Sequence, residues 1–242
     1  MKNLLVFILF LMVRMPADAA VNKTIRSSSG PKSDVIEILK QPLEKRLAAI
    51  QGRAHFKILK SLSMDAHQSL HVRWRATTAL GMKYEKKALP TLVRALKSDK
   101  WFMRNAGLIA IYHANKKLAL AWSKKLLSDE ALVVRTAAVD TIRKLNGVAA
   151  KSALKNKMFA KQNFKGQKSL WIRKNIIKTL SHFATPGDES FFIKVLSDKD
   201  KQLHGYAVHA LEKITKVKMG QKDESLSTKI SMWKSWWSSR NL

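Results

Sequence analysis

Cysteine is absent from the chain. That excludes a disulfide framework, a thiolate metal site, a cysteine nucleophile and a lipidated cysteine, and leaves stability to packing alone. Glycine is scarce, with nine residues scattered along the sequence, and no Gly-rich phosphate loop exists. Acidic residues are few for the charge they face: 17 Asp and Glu against 46 Lys and Arg, a formal net charge of +29. This excess is far beyond what solubility requires and sets a positive potential over most of the surface. The expected partner is therefore anionic: nucleic acid, an acidic protein, a phosphorylated glycan or an acidic membrane face.

Catalytic signatures are missing as well. His55, His67, His71, His113, His182, His204 and His209 show no metal-ligand spacing, and His204 and His209 do not share a helix face. Ser-x-x-Lys at Ser29–Lys32, Ser152–Lys155 and Ser231–Lys234 recurs as often as chance predicts, without the companion motifs of serine acyltransferases. No pair of carboxylates stands out. The expectation is a chain that is not an enzyme, with no catalytic residue, no metal and no cofactor.

What is present begins with a separate N-terminal module. Lys2 precedes the apolar run Leu4 to Val13, and Ala17-Asp18-Ala19 supplies a cleavage signal. This predicts a secretory signal peptide over 1–19 and an exported, periplasmic or secreted product with no transmembrane span after cleavage. Removing it takes away only Lys2, Arg14 and Asp18 among charged residues, so the basic character belongs to the rest of the chain. Residues 20–32, with Ser27-Ser28-Ser29-Gly30-Pro31, predict a flexible linker. With 46% hydrophobic residues in 242, the remainder is expected to fold.

One local pattern then recurs. An apolar residue and a basic residue are followed by a small or apolar residue and an aliphatic one: Val72-Arg73, Ala76, Leu80; Met103-Arg104, Gly107, Ile111; Val134-Arg135, Ala138, Ile142; Ile172-Arg173, Ile176, Leu180; Leu203-His204, Ala207, Leu211. The basic residues fall 31, 31, 38 and 31 positions apart. Apolar positions at i, i+4 and i+8 make one stripe of a helix. Leu96-Lys97-Ser98-Asp99, Leu127-Ser128-Asp129 and Leu196-Ser197-Asp198 end a preceding apolar helix, and the Ser or Asp reads as the N-cap of the next. A helical hairpin of this kind cannot bury its apolar face alone, so the copies are expected to stack.

The pattern resembles that of bacterial HEAT-like repeats, over roughly residues 54–216. The resemblance implies an all-α fold, a right-handed α-solenoid of about five hairpins, and a role in presenting surfaces to partners. Residues 33–53 read as N-terminal capping helices. Residues 217–242, with Trp233, Trp236 and Trp237 in a W-x-x-W-W pattern, read as a C-terminal capping helix whose aromatic ridge lies on the fifth repeat or is left for binding.

The one break in the period lies at Lys151 to Lys168. No acidic residue occurs from Thr141 to Gly187, whereas Lys151, Lys155, Lys157, Lys161, Lys165, Lys168, Lys174 and Lys178 are basic and Phe159, Phe164 and Trp171 are interleaved. This mixture suits contact with phosphates or carboxylates. The recurring Arg73, Arg104, Arg135 and Arg173 read instead as a structural ladder. Arg75 stands outside the repeated pattern and Trp74 aligns with Asn105, Thr136 and Lys174, which marks it as more exposed, so both join the binding candidates, while Trp101 aligns with Leu70, Leu132 and Leu170 as a core residue. The expected function is a basic scaffold or adaptor that recruits an acidic protein or envelope polyanion. Two alternatives remain: a nucleic-acid binder akin to HEAT-like DNA glycosylases, and a peripheral membrane-surface protein. A bilin lyase would share such repeats as well, and nothing else suggests it.

Overall fold

The structure, a computed structural model, describes residues 30–240. The expected signal peptide and residues 20–29 of the expected linker lie outside the described residues. The helices are α1 (Pro31–Lys40), α2 (Leu43–Ala49), α3 (Gly52–Met64), α4 (Leu70–Tyr84), α5 (Leu89–Leu96), α6 (Trp101–Ala114), α7 (Lys116–Leu126), α8 (Leu132–Lys144), α9 (Lys151–Met158), α10 (Ile172–His182), α11 (Glu189–Val195), α12 (His204–Thr215) and α13 (Leu226–Ser238). Helix α1 starts ahead of residue 33 because Pro31 sits in its first turn, where the ring's fixed φ suits a helix and the missing N–H costs nothing.

Five hairpins follow, α3/α4 to α11/α12, and the second helices α4, α6, α8, α10 and α12 pack each on the next to form one continuous layer. This is an α-solenoid with helices added at both ends. The repeated apolar positions are its core: Ala76, Leu80, Ile111, Val134, Ala138, Ile142, Ile176, Leu180, Ala207 and Leu211 are all essentially inaccessible. Small residues set the helix spacing. A Cβ on Gly81 would stand 2.4 Å from the carbonyl oxygen of Ala110, so α4 and α6 approach closely only because that side chain is missing. Gly81→Ala is expected to destabilise the array by about 1–3 kcal/mol through overpacking, seen as a lower urea midpoint.

The Leu-Ser-Asp turns correct one expectation. Ser98 Oγ accepts from the Lys100 N–H, Asp129 Oδ1 from Ala131 and Asp198 Oδ1 from Asp200, so each closes a turn two residues on and does not cap the following helix directly. The lengthened repeat holds a 3₁₀ turn at Lys161–Asn163 and a small antiparallel ribbon, β1 (Phe164–Lys165) with β2 (Lys168–Ser169), turned by Gly166 at a positive φ of 59°. At the C-terminal side α13 lies against α11 and α12. Ser225 Oγ caps it by accepting from the Thr228 N–H, and Trp233 is fully buried with the Trp236 ring edge-on at 5.2 Å.

Candidate functional site

The repeated arginines reach from one hairpin to the next. Arg104 donates through Nε and Nη2 to both oxygens of Asp129, at 2.6 and 2.8 Å, and through Nη1 to the carbonyls of Ser98 and Asp99. Those bonds from Asp129, opposed by partial burial, raise the Arg104 pKa further. Arg173, only 1% exposed, clamps both oxygens of Asp198 and donates from Nε to the Met158 carbonyl at 2.9 Å. Arg135 makes no ion pair among the described residues: Asn163 Oδ1 accepts from its Nε at 2.9 Å, the carbonyls of Asp129 and Glu130 accept from Nη1, and that of Gln162 accepts from Nη2. Burial lowers its pKa. In the fifth hairpin the position is His204, whose Nε2 lies 2.8 Å from the Asp198 carbonyl.

The lysine-rich insertion divides into two parts. Lys151 and Lys155 are spent inside the fold: their Nζ atoms lie 2.8 and 2.6 Å from the two oxygens of the buried Asp188, and Lys151 also donates to Thr185 Oγ1. Both were expected to contact a ligand, and in the fold both are engaged by this aspartate. Burial alone would raise the Asp188 pKa, but these bonds and the Thr185 N–H hold it at about 2. A carboxyl depressed below its ordinary 3.8 contributes stability at higher pH, and that contribution is lost as pH falls from about 4 towards 2. Urea midpoints measured between pH 6 and 2 are expected to fall steeply in that window, and less so in Asp188→Asn.

Lys157, Lys161, Lys165, Lys168, Lys174 and Lys178 make no ion pair among the described residues, and all but the half-buried Lys157 are exposed. Lys157 and Lys161, with Ala160, Gln162, Phe164 and Gly166, line an open depression of about 600 Å³. Lys165 and Lys168 stand on the ribbon beside it, and Lys174 lies in the first turn of α10. Phe164 is half-buried under the Arg173 guanidinium at 4.3 Å, and Phe159 packs edge-on against Phe191. Trp171, 53% exposed, is the aromatic left on this edge.

Other expected sites are placed differently. Arg75 donates to the Leu39 carbonyl at 2.9 Å and so fastens α1 to α4. Arg46, buried on the same carbonyl, has its pKa lowered to about 10 by burial and by the nearby Arg75. Trp74 is half-buried, with its Nε1–H on Asn105 Oδ1 at 3.1 Å, whereas Trp101, expected in the core, is 43% exposed. Both tryptophans therefore reverse the exposure expected from the repeat alignment. Asp140 was not expected at all. It is 8% exposed in the middle of α8, its Oδ2 has no hydrogen-bond partner, and burial raises its pKa against the pull of Arg143, Lys144 and Lys178. The signal in the sequence is an acid on a repeat helix otherwise followed by a long basic stretch.

Among the described residues no group of His, Asp and Glu is arranged to hold a metal ion, and no helix is long and apolar enough to cross a membrane. No family model matches the chain, and no curated protein matches it. Among solved structures, the chain is similar to the complex of CpcE and CpcF of phycocyanin lyase from Nostoc sp. PCC7120, at 14% identity, over 91% of this chain and 99% of that one, with a TM-score of 0.43. The likeness is one of helical fold. The expectation that the chain is not an enzyme is corrected by this finding, since the matching structure carries the name of a lyase.

Proposed function

We propose that this protein recruits an acidic protein or polyanion through the edge formed by the ribbon insertion and the start of α10. The observation that carries the reading is a depression lined by Lys157 and Lys161, with Lys165 and Lys168 on the ribbon, Lys174 in the first turn of α10, none of the five in an ion pair among the described residues, and Trp171 exposed just before α10. Unpaired lysines on a small structured projection give an anion several contacts at once, and their counterions leave when it binds. Trp171 adds an apolar or stacking surface that plain surface charge lacks. Capping is what the burial of Trp233 favours for α13, so the insertion edge is the preferred contact over the tryptophan helix.

Changing Lys157, Lys161, Lys165, Lys168 and Lys174 to Glu is expected to weaken binding of poly-glutamate, a sulfated polysaccharide or duplex DNA at least tenfold and to flatten its salt dependence. The control carries the same charge change at Lys57, Lys83, Lys86, Lys117 and Lys124, all exposed elsewhere, and should lose far less. Equal loss in the two variants would show that bulk charge binds and that the edge does not. Comparing the three probes separates acidic protein from nucleic acid. We also propose export, resting on Leu4 to Val13 and Ala17-Asp18-Ala19. Mass spectrometry of the native protein is expected to find Ala20 at its N-terminus, and retention of Met1 would end that reading.

A further inference from the structure

The arginine ladder has a gap. Arg104 and Arg173 each grip an acid of the following hairpin, Asp129 and Asp198, and these acids sit six residues before the next basic ladder position, at Arg135 and His204. For Arg73 the matching position is six residues before Arg104, and it is Ser98. The acid there has slipped by one: Asp99 is 76% exposed in its side chain and pairs with the adjacent Lys100. Ser98 Oγ still performs the turn-closing half of the task by accepting from Lys100, but it has no second oxygen to offer an arginine. Arg73 is left with a long 3.5 Å bond from Nε to the Ser63 carbonyl and with the Phe102 ring, 5.3 Å away. Its two terminal nitrogens have no acceptor among the described residues.

The gap opens onto a cleft of about 470 Å³ shared by Arg73 and Ser98, with Arg94 and Lys97 at its rim and Met64, Val93 and Met103 as apolar walls. A guanidinium with both terminal nitrogens unused matches a carboxylate by two parallel hydrogen bonds. The walls suit a hydrocarbon side chain next to that carboxylate. We propose that Arg73 is a carboxylate-binding site in which a peptide carboxylate flanked by an aliphatic residue takes the place held by Asp129 and Asp198 in the later hairpins. The carboxylate is either an acidic side chain or a free C-terminus. The site lies in the first two hairpins, apart from the lysine edge, so either reading can fail without the other.

Three probes test it on the ¹⁵N-labelled chain: acetyl-Leu-Glu-Leu-amide, acetyl-Leu-Leu with a free carboxylate, and acetyl-Leu-Gln-Leu-amide. One of the carboxylate peptides is expected to bind and shift the Arg73 Nε–Hε resonance, identified by its loss in Arg73→Gln, and which one does so tells side chain from terminus. The glutamine peptide should leave it in place. Ser98→Asp supplies the missing acid from within, so it is expected to raise Tm while weakening the peptide at least tenfold. Arg73→Gln should weaken it similarly. Binding of the glutamine peptide as tightly as the others, no binding of either carboxylate peptide, or undiminished binding to Ser98→Asp would each overturn the proposal. The Ser98 variant keeps the test open even where Arg73→Gln folds poorly.

Discussion

Asp198→Ala is expected to destabilise the protein by about 3–5 kcal/mol, because it strands the guanidinium of Arg173 in a setting where only 1% of that residue is exposed. The Met158 carbonyl and Ser169 hydroxyl would still accept from Arg173, yet neither carries charge. The double replacement Arg173→Met with Asp198→Leu removes both charges, and most of the loss should return, since a buried ion pair is worth little more than well-packed hydrocarbon of the same volume. Urea unfolding of the two variants decides it. A single variant within about 1 kcal/mol of the parent would mean that the pair is as weak as an ordinary surface bridge.

The second large effect is expected at Trp233. It is fully buried between α13 and the fifth hairpin and is the largest side chain in the core, so Trp233→Ala should cost about 3–5 kcal/mol from lost transfer and the cavity left behind. Trp236, half-buried with Arg240 over its face at 4.3 Å, should cost clearly less. Equal effects of the two changes in thermal melts would mean that α13 holds by its surface and not by one anchor.

The hairpins and their register were legible because the repeat itself fixes them: a basic residue followed by apolar positions at i+3 and i+7 leaves one helix face to bury. Exposure of single positions was less legible. Trp101 shares its alignment column with Leu70, which is itself 39% exposed, so the column marks the entrance of each inner helix and not its buried stripe. Trp74 was misplaced for the opposite reason, since the Asn105 that receives its N–H lies a full repeat away. The lysine edge was half readable. Composition shows the one-signed run, but that Lys151 and Lys155 are already held by Asp188 depends on a contact 33 to 37 residues distant. The slip from Asp to Ser at position 98 stands in the sequence, yet its meaning appears only once Asp129 and Asp198 are seen to face backward to the preceding arginine.

That backward reach bears on the order in which the molecule is made. Each ladder arginine is synthesised before the residue that satisfies it: Arg104 before Asp129, Arg135 before Asn163, Arg173 before Asp198. A hairpin emerging from the ribosome therefore ends in an unneutralised cation until the following hairpin arrives, and a proteolytic fragment cut at the same place keeps that cation for good. Arg73 stands outside this dependence, since the one hydrogen bond its side chain makes among the described residues goes back to the Ser63 carbonyl and no later side-chain oxygen receives it. The fifth closes the series with a different residue altogether, a histidine whose ring nitrogen turns back to the Asp198 carbonyl made just before it.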